Sequence, residues 1–185
     1  MIDIFSKGIS QDITQILKSR DMRVKEQLVL LKKLKSNQSL INAKLNIPGP
    51  IKNNTYLIQV FCDGLKRFLQ ESKVDYQLIW DVATGPEAFL ILNESAETSK
   101  QTAIEFEDND NLGRLFDIDV LTENEGVPHP LSRNDFHQAG RKCIMCNQPA
   151  KVCARSRKHS VKEMQNYINE LINKNMELLW NQVNT

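Results

Sequence analysis

Two aspartates that alternate along a predicted strand are the residues of this chain best suited to phosphate chemistry. Asp117 and Asp119 lie in the run 113–120, where apolar residues occupy the positions between and beside them. Because alternate side chains of a strand share a face, both carboxylates project to the same side. Such a pair suits Mg²⁺, which prefers carboxylate oxygens together with substrate phosphate oxygens, and nucleotidyltransferases use it to align a triphosphate. The pair is therefore predicted to be catalytic and metal-binding, with a solvated strand face as the alternative.

Further side chains would complete a phosphate site around this pair. Glu105 and Glu107 also alternate along the chain, and Glu107 is predicted as a third magnesium ligand. A guanidinium group binds phosphate oxygens in pairs, so three arginines are candidates for holding a triphosphate, with a surface ion pair as the alternative for each. The phosphate-binding candidates, which include one glycine of a predicted turn, are Arg114, Arg133, Arg141 and Gly85.

Three cysteines and a histidine form a second cluster of candidate ligands. Cys143 and Cys146 have the Cys-x-x-Cys spacing with which two thiolates reach one ion from a tight turn. Cys153 and His159 would complete a tetrahedral zinc site. The spacing differs from that of the commonest zinc modules, so reduced packing cysteines and redox chemistry stay open as alternatives. Cys62, alone in an apolar helix, is predicted to belong to the core.

The net charge of +1 conceals a strong asymmetry along the chain. Residues 94–125 contain ten acidic and two basic residues, whereas residues 136–162 contain seven basic residues and no acidic one. A fold that joins these two segments would create a site where carboxylates hold a cation while arginines and lysines hold phosphates. Two solvated faces of opposite sign are the alternative.

Hydrophobic periodicity predicts the elements that position these residues. Apolar residues at three- and four-residue spacing predict that residues 1–45 are helical, with an apolar packing face, and a further helix follows over 57–69. Short apolar runs then predict strands over 76–80, 88–92 and 115–121, together with a short helix over 95–102 and a loop over 122–131. The predicted fold class is α+β, a small mixed sheet flanked by helices in the manner of nucleotidyltransferases.

The C-terminal part combines the cysteine-rich segment with a helix. Ser160 and Glu163 have the spacing of a capping box, which predicts a helix start at this point. Apolar residues that this helix is predicted to bury are Met164, Ile168, Leu171, Met176 and Leu179. The chain is thus predicted to be a single domain with a helical part over 1–45, a mixed α/β catalytic part over 46–135, and a basic, cysteine-rich part with its helix over 136–185.

Composition and chain ends predict a cytoplasmic protein. No stretch approaches the roughly 20 apolar residues of a membrane helix, and residues 1–5 lack the basic and apolar regions of a secretion signal. Three of the four cysteines lie within eleven residues, which favours metal or thiol chemistry in a reducing compartment over disulfides that close long loops. We expect no membrane partner.

Several motifs, in one order, resemble the citrate lyase holo-acyl-carrier-protein synthases, also called apo-citrate lyase phosphoribosyl-dephospho-CoA transferases. The resemblance covers most of the chain, from about residue 46 to the C-terminal helix. The motifs that carry it are TGPEAF at 84–89, GRLFDIDV at 113–120, LSR at 131–133, RKCIMC at 141–146, CARSR at 153–157 and HS at 159–160. One departure is Asp110-Asn111-Leu112 where the family has a His-Pro-Leu run, so no role for a histidine is carried over there.

The resemblance implies a transferase that acts on the acyl carrier protein (gamma subunit) of citrate lyase. A serine of the carrier would attack triphosphoribosyl-dephospho-CoA, form a phosphodiester and release pyrophosphate. The equivalent transferase for the malonate decarboxylase carrier protein is the nearest alternative. A non-enzymatic zinc knuckle that binds nucleic acid is the other, but it leaves the acidic pair unexplained and lacks the aromatic residues that stack on bases, so no nucleic acid partner is expected.

Overall fold

The computed structural model describes residues 2–146 and 148–183, and the side chains of residues 2–146 and 148–176. The α-helices are α1 (Ile13–Leu31), α2 (Thr55–Phe68), α3 (Ala96–Asn109), α4 (Ala150–Ser156) and α5 (Val161–Val183). The strands are β1 (Ser39–Leu45), β2 (Val74–Val82), β3 (Gly85–Leu92), β4 (Phe116–Asn124) and β5 (Val127–Pro130). Short 3₁₀ turns occupy Gly113–Leu115 and Arg133–Phe136. The predicted α+β class is confirmed.

The five strands form one sheet in the order β2-β3-β1-β4-β5. The sequence predicted a mixed sheet, whereas all four pairs of these strands are antiparallel. Two-residue turns join β2 to β3 and β4 to β5, and such tight connections can only pair strands in opposite directions. The middle strand β1 pairs with both β3 and β4, which places Lys44 opposite Asp117 and Asn42 opposite Asp119.

The two faces of this sheet differ in chemistry. On one, here called the core face, the side chains from β1, β3 and β4 are apolar and pack against α2 and α5. Those core-face residues are Ile41, Ala43, Ala88, Leu90, Leu92, Phe116, Ile118 and Val120. Gly64 of α2 lies directly over the Phe116 ring, since a Cβ at this glycine would come within 2.3 Å of a ring atom.

The opposite face, here called the site face, is apolar at one end only. There α1 packs Leu30 and Leu31 against the sheet. The polar end carries Asn42, Lys44, Glu87, Asp117 and Asp119, which the strand registers set side by side. Burial on one face and polarity on half of the other follow from the period of two in each strand.

The N-terminal prediction is correct for α1 and wrong for β1. Residues 39–45 form the middle strand of the sheet, because their side chains are buried on both faces and a run buried on both sides lacks helical periodicity. The predicted packing face of α1 is correct in part: Leu31 is buried, but Ile13, Leu17 and Val24 are exposed. The helix turns Arg23 and Gln27 toward the sheet instead, where Gln27 donates to Asn42 over 3.0 Å.

Two further elements depart from the prediction. Helix α3 extends to Asn109, so Glu105 and Glu107 lie on different sides of a helix, one exposed and one buried. The expected loop over 122–131 is a β-hairpin, in which Glu125 and Gly126 have the positive φ angles, 52° and 77°, that a tight two-residue turn needs. Prolines are tolerated in β5 because it is an edge strand.

The predictions for α2, for β2 with β3, and for the start of α5 are confirmed. Ser160 accepts from the Glu163 amide over 3.2 Å, and Glu163 accepts from the Ser160 amide over 2.7 Å, which is the expected capping box. Helix α5 buries Ile168 fully, and it half-buries Met164, Leu171 and Met176. The side chain of Leu179 lies outside the described residues. Cys62 of α2, predicted to be core, is half-buried at the edge of the core.

Candidate active site

The predicted aspartate pair lies on the site face, bridged by a lysine of the neighbouring strand. The Lys44 ammonium is 2.8 Å from Asp117 Oδ2 and 2.9 Å from Asp119 Oδ2. Burial alone would raise the pKa of the Asp117 carboxyl, but the charges of Lys44 and Arg141 hold it below its usual range. Burial likewise opposes the charge of Lys44, yet the two carboxylates raise the pKa of this lysine above its usual range. The three groups therefore form a mutually stabilised ionic cluster.

Beside the pair, the edge of β4 is completed by side chains instead of another strand. Strand β5 pairs only with residues 121–124 of β4, which leaves backbone groups of residues 116–118 without a strand partner. Glu107 of α3 accepts from the Ile118 amide over 2.9 Å, and Arg141 donates to the Phe116 carbonyl over 2.6 Å. Buried backbone groups must find such partners, so both side chains have a structural task at this edge.

Glu107 and Arg133 form a buried ion pair behind the aspartates. The second oxygen of Glu107 is 2.7 Å from Arg133 Nη2, and Arg133 also binds Asp108 over 2.8 Å. Both oxygens of Glu107 are thus occupied by the protein. A magnesium ion at this carboxylate would therefore compete with the Ile118 amide and with Arg133 for its oxygens.

Lys100 of α3 is the most unusual cation of this region. It is 7% exposed, and within the described residues no carboxylate lies within ion-pair distance of it. Burial lowers its pKa, although Glu107, Asp119 and Asp117 act in the opposite direction. A largely buried lysine without an ion pair is costly, which makes this side chain a candidate for binding an anion that enters from outside.

These groups line a cavity of about 420 Å³, here called the phosphate cavity. Its charged lining comprises four cations and three carboxylates: Lys100, Arg133, Arg141, Lys151, Glu107, Asp117 and Asp119. Lys44 adds a further positive charge from beneath the aspartates. The acidic and basic segments of the chain therefore meet here, and the excess of cations suits a polyanionic ligand.

Of the remaining predicted phosphate-binding residues, Arg141 lines two cavities, Arg114 lines one, and Gly85 lines neither. Arg141 donates to Asp117 Oδ1 over 3.1 Å and also lines a second cavity of about 550 Å³, which contains Arg114 and Arg157 beside apolar side chains of α5. Arg114 contacts Asp108 at 3.6 Å and donates to the Lys142 carbonyl. Gly85 does not line either cavity; its φ of +125° serves the turn between β2 and β3.

A divalent cation fits the aspartate pair only in competition with protein cations. Both oxygens of Asp117 have partners, Lys44 and Arg141. Asp119 bonds Lys44 through Oδ2, while its Oδ1 accepts no hydrogen bond from the described side chains. The two carboxylates are about one-third exposed to the cavity. Their oxygens match the preference of magnesium, with Asp119 as the more available ligand.

The cysteine cluster borders the second cavity, which Arg141 also lines. Ligand atoms of Cys143, Cys146, Cys153 and His159 all lie within 4.8 Å of one another, an arrangement that could hold a metal ion. Hydrogen bonds with the Gln148 backbone and His159 lower the pKa of the Cys146 thiol to about 6. Burial raises the pKa of Cys153 to about 11. All the cysteines are free thiols.

Sequence reasoning missed three charged residues of this region. Lys44 was not predicted to lie beside the aspartates, because the residues of β1 were predicted to be helical. Arg23 of α1 makes two bonds of 2.5 Å to the buried Glu87 near the aspartates, and helical periodicity gives no sign of such a pair. Lys100 did leave a signal, since it is one of only two basic residues within the acidic segment 94–125.

Asp110, in the segment where the resemblance implies His-Pro-Leu, has a structural role. Asp110 follows α3 and binds Arg67 of α2 through two bonds of 2.7 and 2.9 Å. Burial would raise the pKa of Asp110, but Arg67 and the Leu112 amide keep it below its usual range. The next glycine, Gly113, is required by packing, because a Cβ there would lie 2.1 Å from the Phe106 carbonyl oxygen.

Comparisons with known proteins identify the family of the chain. None of the helices in the described part of the chain combines the length and apolar character needed to cross a membrane. The family described as apo-citrate lyase phosphoribosyl-dephospho-CoA transferase (CitX) matches residues 11–175. A relative from Streptococcus pyogenes serotype M18 (strain MGAS8232), named "Probable apo-citrate lyase phosphoribosyl-dephospho-CoA transferase", is 37% identical over 173 residues, which are 92% of this chain and 90% of the relative.

Two further relatives have somewhat lower identity to this chain. An Escherichia coli O7:K1 protein named apo-citrate lyase phosphoribosyl-dephospho-CoA transferase is 34% identical over 87% of this chain and 88% of its own length. The "Protein CitXG" of Leuconostoc mesenteroides subsp. cremoris is 31% identical over 92% of this chain, but the match covers 37% of that protein. With a family match over nearly its whole length and relatives at this identity, the chain belongs to the apo-citrate lyase phosphoribosyl-dephospho-CoA transferase family of enzymes.

Proposed function

We propose that this enzyme transfers the phosphoribosyl-dephospho-CoA group from triphosphoribosyl-dephospho-CoA to a serine of the citrate lyase acyl carrier protein (gamma subunit). The family membership supports the group and the acceptor. The observation that carries the chemistry is Lys100, a buried cation without an ion pair in the described structure, which lines the phosphate cavity beside the aspartate pair. A triphosphate would supply the negatively charged partner that this lysine lacks.

The reaction balances as a nucleotidyl-type transfer. The serine oxygen of the carrier attacks the α-phosphorus of the donor and forms the new phosphodiester bond. The bond from that phosphorus to the bridging oxygen of the β-phosphate breaks, and pyrophosphate leaves with the electron pair. The hydroxyl proton passes to a base or to solvent. Such reactions need positioning and charge stabilisation more than covalent work by the protein.

The residues of the phosphate cavity divide this work. Lys100, Arg133 and Arg141 hold the triphosphate, since ammonium and guanidinium groups make charge-assisted hydrogen bonds to its oxygens. Asp117 and Asp119 would hold magnesium, which supplies charge neutralisation of the phosphates when it is bound. Lys44 holds both carboxylates in place through its ion pairs. Glu107 holds Arg133 and the edge of β4, and so acts through other residues.

We further propose a cytoplasmic location and a bound zinc ion. The cytoplasm fits a chain whose four cysteines are free thiols, three of them gathered in one cluster. Zinc fits the Cys₃His donor set, because thiolate and imidazole are the ligands that zinc prefers in structural sites. Arg114 borders the second cavity, where it could contact the remainder of a long donor such as this one.

The direct test is incubation of the full chain with folded apo carrier protein, the donor and magnesium, followed by intact-mass measurement of the carrier. We expect a mass increase of one phosphoribosyl-dephospho-CoA unit and release of pyrophosphate. Lys100→Met, which keeps the side-chain length but removes the charge, should lower donor turnover by at least about tenfold without loss of fold. No mass increase on citrate lyase carrier would refute the proposal, and modification of malonate decarboxylase carrier in its place would select that alternative.

A further inference from the structure

We propose that Cys143, Cys146, Cys153 and His159 form a structural zinc site that fixes Arg141 between the two cavities. The second half of this inference rests on the proposed function, because it concerns an arginine of the phosphate cavity. The first half does not, since it concerns only the four ligands and one ion.

The spacing of the ligand atoms agrees with a tetrahedral zinc ion. Bonds of about 2.3 Å to sulfur and about 2.0–2.1 Å to nitrogen place two sulfurs about 3.8 Å apart and a sulfur about 3.5 Å from the imidazole nitrogen. In the protein Cys146 Sγ is 3.5 Å from Cys153 Sγ and 3.4 Å from His159 Nε2. Four protein ligands leave no position for a substrate, which is the coordination of a structural site.

The ligands come from three neighbouring pieces of backbone. Cys143 and Cys146 lie on a loop whose two arms are joined by the Lys142–Pro149 bridge. Cys153 belongs to α4, a helix of seven residues that is too short to be stable alone. His159 lies between α4 and α5. A metal at their meeting point would close all three pieces into one unit.

That unit carries Arg141 into its position. The Arg141 carbonyl accepts from the Ala150 amide over 2.8 Å, and the Cys143 amide donates to Gln148 over 2.7 Å. The first zinc ligand therefore lies two residues after Arg141, in the same closed loop. On its other side the Arg141 guanidinium reaches Asp117 and the Phe116 carbonyl. Fixing the loop reduces the freedom of this side chain at the phosphate cavity.

Zinc content tests the site independently of any transferase activity. We expect close to one zinc per chain in protein purified under reducing conditions without chelator, and a tetrahedral cobalt–thiolate spectrum when cobalt replaces zinc. Cys146→Ser and His159→Gln should lose the metal, and His159→Cys should retain it, since four cysteines also form zinc sites. Cys62→Ser is the matched control, because this cysteine lies on α2 outside the cluster and should leave the zinc content unchanged. Metal-free wild-type protein with reduced thiols, or full zinc content in His159→Gln, would overturn the site.

A double-mutant cycle tests the positioning of Arg141, with inorganic triphosphate as the probe. His159→Gln should weaken triphosphate binding by at least roughly threefold in the wild-type background and have no effect in the Arg141→Ala background. Equal weakening in both backgrounds would show that zinc acts on overall stability and not through Arg141. If triphosphate does not bind the wild type at all, the phosphate cavity itself is refuted while the zinc result stands.

Discussion

The two faces of the central sheet are built from the same three strands but have different roles. The core face of β1, β3 and β4 is predominantly apolar and meets α2 and α5. The site face changes halfway from apolar residues to a cluster of charged ones, including Lys44 and the aspartate pair. Burial on the first face stabilises the fold, and this allows the second face to keep costly charges for binding. The comparison assigns stability to one face and chemistry to the other.

The largest expected effect is the loss of turnover caused by substitutions on the site face. Asp117→Asn and Asp119→Asn keep side-chain volume while removing a charge that organises the phosphates. A preorganised electrostatic contact of this kind is worth roughly 3–4 kcal/mol, so turnover should fall by a hundredfold or more. Mass-detected transfer to the carrier under limiting magnesium measures the loss.

The control for this pair is Glu123→Gln, an exposed residue further along β4 that should matter little. Circular dichroism establishes that each aspartate variant is folded. Near wild-type transfer by both folded variants would reduce the pair to a solvated strand face and remove the main functional contrast between the two faces.

On the core face the expected loss is one of stability instead. Leu90 is completely buried on β3, so Leu90→Ala removes methylene groups and leaves a cavity. Such substitutions cost about 2–5 kcal/mol of unfolding free energy. Denaturant unfolding measures this cost, and transfer per folded molecule should stay within about twofold of wild type. A hundredfold loss of turnover in the folded Leu90→Ala protein would mean that the two faces are not separable.

A smaller effect is expected in the pH dependence of the stability that the site face contributes. The cationic neighbours of Asp117 hold its folded-state pKa below the ordinary value of about 3.9, so its ionisation contributes stability that is present above that value. The contribution is lost as the pH falls through the depressed folded pKa. The difference in melting temperature between wild type and Asp117→Asn should therefore shrink between about pH 5 and the acid limit. A difference that stays constant over this range would show that Asp117 makes no net ionic contribution.

Local patterns predicted much of the fold and about half of the site. The alternation of Asp117 and Asp119 with apolar residues was sufficient to place both on one face of a strand, since that periodicity belongs to the strand alone. The capping box at Ser160 and the cysteine spacing were likewise readable, because each needs only residues close in sequence. The hairpin at residues 122–131 was missed, since a turn signal with prolines resembles a loop unless the edge position of the strand is known.

The sequence by itself therefore determined features that depend on residues close together in the chain. These are an aspartate pair on one strand face, a Cys-x-x-Cys loop, and the motifs that indicate the family. The partners of those residues came from long-range packing. Lys44 reaches Asp119 across 75 positions of sequence, and does so because the register of β1 against β4 places them together. Lys100 is buried, and Glu107 binds Arg133, because α3 packs along the open edge of β4. Periodicity is a property of one element, whereas the charge that faces a carboxylate depends on which elements meet, and only the folded chain specifies that.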